Sequence, residues 1–159
     1  MQIPTTTLTE RRMDIGYVGL GGMGHAMESN LIEKGHTLRV WNRSPGKAAD
    51  LVAKGATRVD HPGQAVASDG MVFTMVADDA ALDQVVGGPD GIAATLGPGG
   101  IHVSMSTVSP ETTQRLAALH AERGAAFIAA PVFGRPVAAA SAMLFILCAG
   151  DDAARARVL

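Results

Sequence analysis

The sequence predicts an α/β fold of the doubly wound class, a mostly parallel sheet flanked by helices. Three observations lead there. Short apolar runs alternate with segments of helical period along the chain. Glycines stand just past the helical segments, at Gly35, Gly55 and Gly124. The first apolar run leads straight into a cluster of glycines. At 159 residues and 47% hydrophobic content the chain can bury one domain's core, with no room for a second full domain.

Taken in order, residues 1–12 are polar and Thr-rich and read as a flexible leader to a domain over 13–159. Residues 14–20 read as a buried strand meeting a tight turn. Residues 22–34 read as a helix, because Met23, Ala26, Met27 and Leu31 recur at three- and four-residue steps. A second strand over 37–41, a turn over 42–46 and a helix over 47–54 follow, then a short strand over 56–59, a short helix over 62–68 and an apolar strand over 70–76.

Asp78 and Asp79 cap a helix that runs through Val86, and Gly87-Gly88-Pro89 separates it from a shorter helix ending near Leu96. The rest reads as a fifth strand over 101–105, a helix over 112–123, a sixth strand over 126–129 and a seventh over 143–149, with Cys148 buried in it. Residues 151–159 resemble the opening turns of a helix, with two aspartates near its start.

Gly19-Leu20-Gly21-Gly22-Met23-Gly24 matches G-x-G-x-x-G, and it lies between the first strand and the first helix, where a dinucleotide-binding Rossmann unit requires it. Gly19 permits the sharp turn, Gly21 lets backbone approach a pyrophosphate, and Gly24 lets helix and strand pack closely. Free N–H groups at the helix start face the anion.

A unit selective for NAD offers Asp or Glu at the end of the second strand to accept from the ribose 2′-hydroxyl. This chain has Asn42-Arg43-Ser44 there, with Lys47 following. A guanidinium pairs with a 2′-phosphate that a carboxylate would repel, so the expected cofactor is NADP (NADPH).

A net charge of −2 and an aromatic content of 4% supply neither a basic footprint nor stacking platforms, which argues against nucleic acid as a partner. No apolar run has the length of a signal peptide core or a membrane helix, so the expected location is cytoplasmic, with no membrane partner. The five histidines are scattered without metal-ligand spacing, and no metal is assigned. His25 reads as a helix-surface residue, and Asp78-Asp79 as caps rather than a catalytic pair.

Further motifs follow in series: Asn30-Leu31 with Gly35-His36, Met75-Val76 before Ala77-Asp78-Asp79, Ser106-Thr107-Val108-Ser109-Pro110, and Ala130-Pro131-Val132 with Gly134. Together with the glycine motif they resemble the β-hydroxyacid dehydrogenase family. That family includes 3-hydroxyisobutyrate dehydrogenase, tartronate semialdehyde reductase and, more distantly, imine reductases and the NADP-binding domain of 6-phosphogluconate dehydrogenase. The resemblance spans about residues 14–159. It implies a Rossmann domain of an NADP-dependent oxidoreductase acting on a small hydroxyacid or semialdehyde. Met75 and Val76 would border the path from adenosine to nicotinamide, Thr107 would lie near the nicotinamide ribose and substrate, and Gly134 would belong to the segment that binds the substrate carboxylate. Ser106–Ser109 read equally well as a helix N-cap cluster.

Two departures bear on this. Hydroxyacid members carry Pro-Val-Ser-Gly-Gly where this chain has Pro131-Val132-Phe133-Gly134-Arg135. A carboxylate donor is lost and bulk is gained, and Arg135 either restores anion binding or marks another substrate. The family's catalytic lysine lies on a helix beyond residue 159, and no lysine follows Lys54, so no catalytic residue is assigned. The family's helical C-terminal domain, expected to complete the site and form a homodimer, is likewise expected to be absent. The expectation is therefore the cofactor half of such an enzyme, inactive alone. The alternatives are a stand-alone dinucleotide-binding module without catalysis and the cofactor half of an imine reductase-like enzyme.

Overall fold

The computed structural model describes residues 12–158. The leader over 1–12 therefore lies outside the described residues except for Arg12, whose guanidinium donates to Thr37 Oγ1 at 3.0 and 3.2 Å. Six strands form one sheet: β1 (Asp14–Val18), β2 (Thr37–Trp41), β3 (Thr57–Arg58), β4 (Met71–Thr74), β5 (Ile101–Ser104) and β6 (Ala126–Ala129). Their order is β3-β2-β1-β4-β5-β6 and every pairing is parallel. This is the doubly wound α/β arrangement expected, with the order reversing between β1 and β4.

The strands read as continuous apolar runs because both faces of the sheet are covered. Val18, Val72 and Phe127 point to one face, beneath α3 (Asp79–Val86), α4 (Ile92–Thr95) and α5 (Pro110–Ala121), which contribute Leu82, Val86, Ile92, Leu96 and Leu116. Ile15 and Tyr17 point to the other face, with α1 (Gly22–Glu33) and α2 (Ala49–Ala53) over β1 and β2. On that same face Met71, Ile101, Val103 and Ile128 meet Ala154 of α7 (Asp152–Val158). No helix among the described residues is long and apolar enough to cross a membrane.

Three expectations are corrected. Residues 62–68 form only one 3-10 turn, Pro62–Ala65, capped by His61 with Gln64 reaching back. Residues 143–149 are not a seventh strand of the sheet. Within the run, β8 (Phe145–Ile146) pairs antiparallel with β7 (Val132–Phe133) in a separate hairpin, and Ala149 makes a lone antiparallel bridge to Ala129 at the end of β6. Phe145 and Leu147 are 67% and 51% exposed, and Cys148 is half-buried outside any strand. A short apolar run looks the same in sequence whether or not another layer covers it. The hairpin encloses a helix the sequence did not announce, α6 (Pro136–Ala140), which packs on α1 and takes a 2.7 Å hydrogen bond from Asn30 Nδ2 to the Ala139 carbonyl.

Two histidines that look unrelated in sequence meet in the core. His102 Nδ1 lies 3.2 Å from His120 Nε2, His102 Nε2 lies 2.9 Å from Thr74 Oγ1, and His120 Nδ1 lies 2.7 Å from the Leu116 carbonyl. Only one set of protons satisfies the chain: His120 donates to the carbonyl, His102 to His120, and Thr74 to His102. Phe127 stands edge-on to His102 at 5.0 Å.

Burial holds both imidazoles neutral and lowers their pKa below the ordinary 6.5, with Arg123 adding to the effect on His120. The unfolded chain therefore takes up protons below about pH 6.5 that the folded chain refuses, and this stabilising contribution is lost as pH falls. A His120→Gln variant is expected to be less stable than the native chain at pH 8, with a deficit that shrinks by up to about 1.4 kcal/mol per pH unit below 6.5. Urea unfolding of both proteins at several pH values measures this, and a deficit independent of pH would refute it.

Candidate functional site

The strand ends carry the candidate residues. Gly19 follows β1 with φ +110°, and its N–H donates to the Trp41 carbonyl at 3.0 Å. A Cβ there would collide with the Met75 carbonyl, and a Cβ on Gly24 would collide with the Gly19 carbonyl. Gly21 differs from both. It is exposed, has extended backbone (φ −68°, ψ 178°), and nothing lies within 4 Å of where its Cβ would be. Two glycines are thus demanded by the fold, while the third keeps open space at the start of α1. That space is open, and the start of α1 presents N–H groups beside it that have no partner within the helix.

Leu20 is buried in the core between β1 and α2, and Met23 is half-buried. The second candidate cluster follows β2. Asn42 Oδ1 accepts from the Leu20 N–H at 2.9 Å, and its Nδ2 donates to the Ser44 carbonyl at 3.1 Å. The side chain thus braces the glycine loop against the turn. Arg43, Ser44 and Lys47 are all exposed. Arg43 makes no hydrogen bond or ion pair among the described residues, which leaves its guanidinium available to an anion.

Past β4 and β5, Met75 and Val76 are half-buried and Thr107 is exposed. The two loops are tied to each other. The Val76 N–H donates to the hydroxyl of buried Ser106 at 2.9 Å. The Asp79 carboxylate accepts from the Ser109 hydroxyl at 2.6 Å and from its N–H at 3.0 Å. Ser109 hydrogen bonds, with support from Thr112, pull the Asp79 pKa down to about 2, so it is ionised at any working pH. Asp78 is the N-cap of α3, accepting from the Ala81 N–H at 2.8 Å. Of the Ser106–Ser109 cluster, Ser109 is the N-cap of α5.

Gly134 (φ +147°) and Arg135 are exposed between β7 and α6. Pro136, at the start of α6, comes within 3.9 Å of where a Gly22 Cβ would lie, so the fold brings this segment beside the glycine loop. His25, expected on the helix surface, bridges α1 to α2 through Asp50 at 2.5 Å. The sequence reading missed the Asp79 strut, the bracing by Asn42 and α6, and no local pattern announces any of them.

The family described as the NAD binding domain of 6-phosphogluconate dehydrogenase matches residues 14–159. The chain is 47% identical over 143 residues to an uncharacterized oxidoreductase, YfjR, of Bacillus subtilis, covering 90% of this chain and 50% of that protein. It is 42% identical over 138 residues to the cytokine-like nuclear factor N-PAC of Xenopus tropicalis, covering 87% and 26% respectively. Among solved structures it resembles the 3-hydroxyisobutyrate dehydrogenase of Mycobacterium tuberculosis with L-serine (TM-score 0.85, 29% identity, 93% of this chain and 50% of that one). It also resembles a reductive aminase of Aspergillus terreus in complex with NADPH and ethyl-5-oxohexanoate (TM-score 0.68, 29% identity, 80% and 44%). The chain spans half or less of the length of these proteins.

Proposed function

This chain belongs to the family of the 6-phosphogluconate dehydrogenase NAD-binding domain, and from that premise we propose that it is the NADP(H)-binding unit of a 3-hydroxyisobutyrate-dehydrogenase-like oxidoreductase. Such an enzyme transfers hydride between NADP(H) and a small hydroxyacid or semialdehyde, and the bound nicotinamide supplies or accepts that hydride. The observation that carries the reading is the open space over Gly21, kept clear between two glycines whose own Cβ positions are filled by backbone.

In this reading Gly19–Gly24 and the start of α1 hold the pyrophosphate. Arg43, Ser44 and Lys47 take the 2′-phosphate, and Asn42 fixes their loop against Leu20. Met75 and Val76 border the path from adenosine to nicotinamide, Thr107 lies near the nicotinamide ribose and substrate, and Gly134 with Arg135 faces the substrate. No acid or base of the reaction is assigned to this chain. We place the protein in the cytoplasm, and we tie homodimer formation to the presence of the family's C-terminal domain.

The cofactor half is tested through Trp41, the single tryptophan, which directly precedes Asn42. Quenching of its emission is expected to report tighter binding of NADPH than of NADH. Arg43→Asp is expected to cost NADPH about 1–3 kcal/mol, roughly 5–150-fold, and to leave NADH nearly unchanged. Equal affinities in the native chain would remove the 2′-phosphate assignment.

Two observations support other readings. Phe133, 55% exposed, stands where the hydroxyacid pattern has serine, and together with the likeness to a reductive aminase it favours an imine substrate. The likeness to a protein named as a nuclear factor and not as an oxidoreductase keeps a dinucleotide-binding module without turnover as the third reading. NADPH oxidation by the longest native form of the protein, against small carbonyl acids and cyclic imines, separates all three.

A further inference from the structure

We propose that Ser106 and Asp79 are positioning residues that clamp the loop after β4 to the loop after β5, fixing where Val76 and Thr107 meet the nicotinamide half of a bound cofactor. This inference rests on the proposed function, which puts Val76 on the path to the nicotinamide and Thr107 beside its ribose.

The clamp has two points of closure. Ser106 is 3% exposed, and its hydroxyl accepts the Val76 N–H at 2.9 Å, across 30 residues of sequence. Asp79 receives both donors of Ser109, at 2.6 and 3.0 Å, also across 30 residues. Thr107 lies between the two closures, exposed and next to Ser106. Each loop follows a strand of the parallel sheet whose register the sheet fixes up to Thr74 and Ser104. Met75 and Met105 make the last backbone bonds of the ladder, to the Val18 and Thr74 carbonyls at 2.9 Å, and beyond them the clamp takes over the relative placement of the two loops. Ionised Asp79 makes its closure charge-assisted, the stronger kind of hydrogen bond.

A loop pair held in the bound arrangement beforehand spares the cofactor the cost of ordering it. Releasing the clamp therefore weakens contacts at the nicotinamide end and leaves the adenosine end, where exposed Arg43, Ser44 and Lys47 take no part in either closure, as it was. Adenosine 2′,5′-bisphosphate reaches only that second end, so it serves as the internal control.

The experiment titrates NADPH and adenosine 2′,5′-bisphosphate against the native chain, Ser106→Ala, Asp79→Ala and Asp79→Asn. Trp41 quenching reports adenosine-end occupancy, the blue emission of the bound dihydronicotinamide reports the other end, and a melting curve accompanies each variant. Ser106→Ala and Asp79→Ala are expected to weaken NADPH about five- to twentyfold and diminish the nicotinamide emission, with bisphosphate affinity unchanged. Asp79→Asn keeps an acceptor for Ser109, tolerates replacement best, and is expected to fall between. The proposal is overturned if folded variants bind NADPH as the native chain does, or if both ligands weaken equally, which marks general damage. A native chain that binds neither ligand overturns the proposed function itself, and this inference with it.

Discussion

Gly21→Val is expected to abolish NADPH binding, by at least about 100-fold, without moving the melting temperature. The backbone at Gly21 is ordinary extended chain, and its missing side chain faces space that no protein atom fills. Valine is therefore tolerated by the fold and intolerable only to an occupant of that space. Gly24→Ala is expected to behave in the opposite way. Its new methyl meets the Gly19 carbonyl, so helix and strand must separate, at a cost of about 1–3 kcal/mol or more in stability. Calorimetric titration with thermal denaturation of both variants reads the contrast. A folded Gly21→Val protein that still binds NADPH would reduce the glycine loop to a turn and nothing more.

Glu28→Met is expected to stabilise the chain, and increasingly so toward alkaline pH. Glu28 sits on the buried face of α1, wholly inaccessible, with neither carboxyl oxygen hydrogen-bonded. Burial, helped by the negative charge of Asp50, pushes its pKa from 4.5 up to about 9. The folded chain thus keeps a proton that the unfolded chain releases across that window, and folding stability drains away as pH rises from about 4.5 to about 9. The loss approaches about 1.4 kcal/mol per pH unit in mid-window. Methionine is of similar volume, carries no ionisable group and needs no partner. Urea unfolding at pH 5, 7 and 8.5 should show the variant's advantage growing with pH, and a constant or shrinking difference would contradict the account.

The three variants also show which parts of this protein are written locally. The order of strands and helices was legible because each apolar run of the sheet is bounded by a glycine, proline or capping residue, as at Gly35, Gly55, Ser109 and Gly124. The glycine loop was legible for the same reason, since its roles follow from one strand–turn–helix passage. Features joined across the fold were not. Asp79 reads as one of two helix-start acids until Ser109 is found opposite it, and His102 and His120 read as strays until the sheet brings them together. The run over 143–149 misled because its apolar content says nothing of what covers it, and Phe145 and Leu147 turn out to face outward. Arg43 reads as an anion ligand, and its guanidinium is exposed. Asn42 reads as part of the same cofactor-binding turn, and its side chain braces that turn within the protein.

That engagement makes cofactor choice and loop shape inseparable at one position. Redesigning this domain toward NADH would ordinarily begin by placing an acid at the end of β2. At residue 42 an aspartate would still accept the Leu20 N–H, because its oxygen stands where the amide oxygen does. It would lose the donor that reaches the Ser44 carbonyl, so the turn carrying Arg43 and Ser44 would be released by the same change that brings in the charge. Exchange at residue 43 leaves both tethers in place. The domain therefore has two adjacent routes to a new preference, one that retunes the binding surface and one that also unfastens it.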